Sequence, residues 1–243
     1  FGLELGLYEQ APFYISNKYY EETVGEAVAD PLVKYTKKSI ALVSVYNTIS
    51  RDDYNNEAAG EYTKVRLEGG GYLGSIFGTP IDLSGRTFGK YETNYSRFIS
   101  FEKGRIAAAH FQAGMFNVED DQPILEGEQY EVGGSSTVRG YLDIYPFAAG
   151  SRTVVINLEY RLSFNEWLQG VLFYDWGNAF DLSPVDTNRF RSGRGVGLRI
   201  GTPVGPLRLD WAFGEDYVDI FEQEHFSERI PRNILHFSLG QTF

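Results

Sequence analysis

The sequence predicts an all-β fold, a transmembrane antiparallel β-barrel with about ten strands visible, and three observations carry that reading. Apolar residues alternate with polar ones at a period of two, over runs as long as residues 152–164. Such a run is long for a soluble strand of about five or six residues, but it suits a tilted strand crossing a bilayer, which needs roughly 9–11. The composition agrees: 16% aromatic, 27 Gly and a single Met favour strands over helices. Short turns alternate with long acidic loops, the cadence of outer-membrane barrels.

Taken in order, weaker strand patterns cover residues 1–13, 37–51, 61–75 and 90–102. Residues 21–32 (EETVGEAVADPL) read as a short helix inside the first long loop. Ala107, Ala109, Phe111, Ala113 and Met115 then oppose His110, Gln112 and Gly114. In the strongest strand, Val154, Ile156, Leu158, Tyr160, Leu162 and Phe164 share one face. Thr153, Asn157, Glu159, Arg161 and Ser163 share the other. Leu172, Tyr174 and Trp176 oppose Val171, Phe173 and Asp175, and the alternation resumes over 195–201, 207–213 and 235–243. Thr202 to Pro206 reads as a tight turn, and the nine prolines fall in loops or at strand ends. Two loops, 119–131 and 215–228, carry six acids each. A soluble β-sandwich or barrel would bury the apolar faces in a core instead. Faces carrying Glu159 and Arg161 weigh against it, although alternation alone leaves it open.

Several function classes are excluded or unsupported. With 33 acids against 22 bases and a net charge of −11, the 243-residue chain lacks the basic face that nucleic acid requires. The absence of Cys removes disulfide scaffolds, thiol nucleophiles and Cys-based metal sites. No run of 18 apolar residues marks a membrane helix. A mean hydropathy of −0.29 looks soluble, but membrane strands are apolar only at every second position. The chain starts at Phe1 with no basic n-region, so a mature or excised product is expected. No G-x-S-x-G occurs; His110, His225 and His236 lack ligand spacing; and GRGVG (193–197) sits within a strand with no helix to follow. The expectation is a non-enzyme with no cofactor and no metal.

One segment stands out, GGSSTVRGY at 133–141. Its arginine, Arg139, has two readings. The bland one is a solvated loop charge. The sharper one directs the guanidinium into a barrel lumen, where its rigid fork can hold carboxylates bidentately. Glu159 and Asp175 are candidate partners, because alternation points both inward on consecutive strands. Two such carboxylates without a cation would repel one another.

The ordered series GGSSTVRGY, NLEYRL (157–162), FYDWGNAF (173–180), GVGLRIGTPVGPLRLDW (195–211) and SLGQTF (238–243) resembles the C-terminal half of the barrel in the BamA-type outer-membrane assembly superfamily. Residues 51–74 resemble the hairpin before that half, with Ala59 where the family has Pro. The resemblance covers about residues 37–243 and is strongest after 133. It implies that the VRGY loop folds back into the lumen, with Arg139, Gly140 and Tyr141 locked there against Glu159 and Asp175. It implies that SLGQTF is a β-signal, in which Ser238, Gly240 and Phe243 belong to an imperfect seam between last and first strands. It implies a factor of the bacterial outer membrane that folds and inserts other barrel proteins through that seam. The partners would be unfolded outer-membrane clients, the lipid bilayer, and accessory lipoproteins or periplasmic POTRA domains. A two-partner secretion pore and the anchoring barrel of a surface enzyme are the competing implications. The family's barrel has sixteen strands and follows POTRA domains. The expectation here is one barrel domain over 1–243 without a POTRA pattern, as the C-terminal part of a larger barrel or a shortened relative.

Overall fold

The computed structural model describes residues 2–10, 37–52, 56–76, 79–83, 87–101, 104–118, 128–143, 147–181, 190–202, 206–215 and 233–239. They form β1 (Gly2–Gln10), β2 (Lys37–Asn47), β3 (Ser50–Arg51), β4 (Glu57–Gly70), β5 (Tyr72–Ile76), β6 (Thr79–Asp82), β7 (Phe88–Phe101) and β8 (Arg105–Val118). After these come β9 (Tyr130–Val132), β10 (Ala148–Gly150), β11 (Arg152–Ser163), β12 (Leu168–Phe180), β13 (Arg191–Ile200), β14 (Leu207–Gly214) and β15 (Asn233–Leu239). Ten strands hydrogen-bond in the order β1-β2-β4-β7-β8-β11-β12-β13-β14-β15, every neighbour antiparallel and next in the chain among those ten. The expected helix over 21–32 lies outside the described residues, as do most of both acidic loops.

The two faces of this sheet are inverted relative to a soluble protein. On β11 and β12, Leu158 is 47% exposed and Leu172 54%, whereas Glu159, Arg161 and Asp175 are buried. The same parity runs through β14 and β15, with Trp211, Leu235 and Phe237 outward and Arg208, Asp210 and His236 inward. Contiguous apolar surface on this scale is unfavourable in water and favourable in hydrocarbon. The fold is therefore a transmembrane antiparallel β-barrel type, and the soluble sandwich is set aside. At 14 residues, β4, β7 and β8 extend roughly 46 Å, ample to cross a membrane at a tilt.

The stretch 61–75, expected as one strand, divides differently. Its strand starts at Glu57, ends at Gly70 and turns at Gly71 into the hairpin β5/β6. A φ of +65° at Gly71 makes that turn, which few other residues tolerate. On the inward face two devices fill the lumen. At the short-turn end, Ile49 and Ala58 fold over Phe98, Ile106 and Ala108. At the long-loop end, Val132, Val138, Tyr141, Phe147 and Ala148 of the 128–150 segment pack on Val155 and Ala179 of the wall.

Candidate functional site

The 133–143 segment braces itself before it touches the wall. The Gly133 amide donates to Thr137 Oγ1 at 2.9 Å, and the Gly134 amide donates to the Val138 carbonyl at 3.0 Å. Asp143 Oδ1 accepts from both the amide and the hydroxyl of Ser135, each at 2.7 Å. Partial burial works to raise the Asp143 pKa, but the two donors from Ser135 together with the facing His236 outweigh it and hold the carboxyl below its ordinary range. Residues 138–141 are then carried down the inward face.

Arg139 is the centre of what they meet. Its Nε donates to Asp175 Oδ2 at 2.7 Å and its Nη2 to Asp175 Oδ1 at 2.8 Å, a bidentate fork. The Arg139 backbone amide donates to Asp175 Oδ2 as well, at 3.0 Å. Nη1 donates to Glu159 Oε1 at 2.7 Å and to Asp210 Oδ2 at 3.3 Å. The guanidinium lies 3.6 Å from the centroid of the Phe173 ring, which shields it from below. Asn157 Nδ2 ties the arrangement together by donating to Asp175 Oδ1 and to the Thr137 carbonyl.

The network extends along the wall. Arg161 binds Glu159 at 2.9 Å and Glu57 at 3.2 Å; Arg199 binds Asp210 and Glu159; Arg208 binds Asp210 at 3.3 Å. Four buried guanidiniums thus face four buried carboxylates, so charge closes locally without solvent. Burying one such charge unpaired would be prohibitive, which explains why they come as a set.

Close approach of the loop backbone needs room, and two glycines provide it. Gly193 and Gly214 are cross-strand partners on β13 and β14. A Cβ on Gly193 would collide with the Arg139 carbonyl, and one on Gly214 would lie 2.5 Å from the Gly140 carbonyl oxygen. Gly140 itself has φ +96°. Its amide donates to His236 Nε2 at 3.1 Å, which assigns the ring proton to Nδ1, 3.3 Å from Asp143 Oδ2. Tyr141 Oη donates to the Ser192 carbonyl and accepts the Glu215 amide.

The structure thus brings Arg139, Gly140, Tyr141, Glu159 and Asp175 into one assembly. Ser238 lies elsewhere, half-buried on β15 opposite Arg208, while Gly240 and Phe243 lie outside the described residues. Sequence reasoning missed Asp210, Arg199, Asn157, Phe173, His236, Gly193 and Gly214. Inward parity was available for the first five, and GRGVG held one of the two glycines. Among the described residues no group of three or more His, Asp or Glu is placed to hold a metal ion. This arrangement holds the loop backbone in place.

The Omp85 superfamily domain matches residues 8–243. Outer envelope protein 80, chloroplastic, of Arabidopsis thaliana is 31% identical over 103 residues, 39% of this chain and 14% of that protein. Outer envelope protein 39, chloroplastic, of the same plant is 26% identical over 128 residues, 49% of this chain and 35% of that protein. A crystal structure of BamA from Haemophilus ducreyi lacking POTRA domains 1–3 superposes with a TM-score of 0.64 at 14% identity. It covers 97% of this chain and 51% of the BamA chain, so the present chain spans about half of that relative's length. At that identity the likeness concerns the fold alone.

Proposed function

The chain belongs to the Omp85 superfamily, whose members are barrels of outer membranes or chloroplast outer envelopes, and from that membership we propose that it folds and inserts client β-barrel proteins into a bacterial outer membrane. Outer-membrane protein insertion or secretion is the level that the family itself supports. The finer reading names unfolded barrel clients as substrates, with no catalytic residue and no cofactor. Accessory lipoproteins or POTRA domains would deliver those clients.

One observation carries this reading: the tip of the lumenal loop is bonded at once to β11, β12, β14 and β15. A wall pinned from inside keeps its curvature even where its last strand is weakly paired outside. Ser238, Gly240 and Phe243 would then form a strand edge that a client can extend by β-augmentation, with Gly240 weakening the native pairing. Arg139, Gly140, Tyr141, Glu159 and Asp175 would keep the remaining strands in register meanwhile.

The test uses the protein in liposomes with a urea-unfolded outer-membrane barrel as client. Accelerated client folding is expected, with a large loss in Arg139→Ala. The chain contains no Cys, so Ser238→Cys supplies a unique thiol that should cross-link to a client strand carrying one. Export of a single partner protein with ion conductance, and no folding of unrelated barrels, would reassign the chain as a secretion pore. Activity of neither kind would leave an anchoring barrel.

A further inference from the structure

On the outward face a groove of about 360 Å³ runs across β4, β7, β8, β11 and β12. Register explains its shape. Val65, Thr93, Ala113 and Val154 are consecutive cross-strand partners, a row of short side chains. The adjoining row toward the long-loop end is long: Leu67, Tyr91, Met115, then Arg152, then Phe180. The trough is therefore apolar along its length, and a cation stands at its loop-side rim.

The state of that cation is unusual for a membrane-facing surface. Arg152 Nη2 makes one long bond, 3.4 Å, to Asn117 Oδ1, and its Nε is buried with no partner. No carboxylate among the described residues lies within ion-pair distance of it. Asn178 is its diagonal neighbour across β11 and β12, and neither Oδ1 nor Nδ2 of that amide has a partner. The Phe190 ring stacks on Trp176 at 4.2 Å and approaches Phe180 at 6.3 Å, so it roofs Asn178. Donors facing a bilayer without acceptors are costly, and water is scarce below the headgroups.

We propose that this groove binds a phosphate-bearing glycerolipid of the surrounding bilayer. The phosphate takes the Arg152 guanidinium, and one acyl chain lies along the row from Val65 to Val154. A guanidinium fork matches phosphate oxygens bidentately, and it supplies what a neutral sugar headgroup does not exploit. The short side chains of Thr93 and Ala113 give the chain its depth. This site lies on the opposite face of the sheet from the lumenal network and does not depend on the assembly function.

Native mass spectrometry of the intact chain in detergent, titrated with phosphatidylglycerol or with monogalactosyldiacylglycerol, tests it. Phosphatidylglycerol should be retained and the phosphate-free galactolipid should not. Arg152→Met should weaken retention about tenfold, Arg152→Lys should recover only the part that charge alone supplies, and Ala113→Leu should weaken it by filling the trough. Arg194→Met, at an exposed outward position off the groove, should leave it unchanged. Equal retention of both lipids, or undiminished phosphatidylglycerol binding in a folded Arg152→Met, would overturn the site. Should Arg152→Met fail to fold, Arg152→Lys and Ala113→Leu decide: retention at the full wild-type level in the first or unaffected in the second also overturns it.

Discussion

The inward face behaves differently on β11–β14 than on β4–β7, although both regions alternate in the same way. On β11–β14 the loop residues 138–141 cover the wall, and the inward charges that meet the loop tip are desolvated: the Arg139 and Glu159 side chains are 2% and 0% exposed. On β4 and β7, apart from the buried Glu57, Arg66 pairs with Glu68 and Lys90 with Glu92; Glu68 is only 8% exposed, but both cations keep water contact, Arg66 at 23% and Lys90 at 25%. Alternation decides which side a residue faces. What covers that side decides whether its charge is structural. Identical chemistry in the two regions should therefore carry very different energies, and that contrast can be broken at either end.

The largest effect is expected at Arg139→Ala. Asp175, Glu159 and Asp210 would each lose a donor, leaving buried carboxylates short of countercharge, a cost of about 3–5 kcal/mol. The urea midpoint of the folded barrel should fall accordingly, and the loop should become accessible to protease. Combining Arg139→Ala with Asp175→Asn should cost less than the sum of the two alone, by about 0.5–3 kcal/mol. Strict additivity would show that the fork is not energetically coupled.

A smaller loss is expected at Gly193→Ala. The added Cβ meets the Arg139 carbonyl, which is backbone and cannot swing aside, so the loop tip must lift from β13. Overpacking of this kind costs about 1–3 kcal/mol. The discriminating result is loss of loop protection with the strands intact. A fully protected loop in Gly193→Ala would mean that the glycine floor is not what seats Arg139.

At the other end of the contrast, Arg66→Ala should shift the same midpoint by no more than about 1 kcal/mol, since Glu92 retains water and Glu68 keeps the Ser39 hydroxyl as a donor. A loss as large as that from Arg139→Ala would abolish the distinction between the two regions.

How much of this was legible in the sequence follows from the same distinction. Strand β11 was readable because its outward apolar residues meet lipid and its inward polar ones meet a polar lumen, so both sides signal. Glu159 and Asp175 could be placed inward for that reason, and Arg139 could be matched to them by motif. Asp210 and His236 had the same parity and were passed over, because alternation gives a face without saying which heights meet the loop tip. Gly193 and Gly214 were invisible for another reason: a strand glycine marking close backbone approach looks the same as one marking a bend. The 61–75 stretch misread because Gly69, Gly70 and Gly71 continue the period of two without opposing it, while the turn depends on one positive φ.

The smallest expected effect sits at the loop's exposed edge. Asp143 accepts two hydrogen bonds from Ser135 and faces His236 Nδ1, yet its side chain is 54% exposed. Its carboxyl is held below the ordinary range, so it binds protons less readily folded than unfolded. Stability from such a group is present above the unfolded pKa, about 4, and is lost as pH falls through the lower folded value. Hydrogen exchange at residues 133–141 should therefore be slower in the wild type than in Asp143→Asn at about pH 5, and the gap should narrow as the pH is lowered below the unfolded value. The Arg139 fork is the internal control, since Arg139→Ala should expose the loop at both pH values. A gap between wild type and Asp143→Asn that does not change with pH would mean that the Asp143 contacts act through shape alone. In that case the loop's edge, like its tip, would be held by packing as well as by charge.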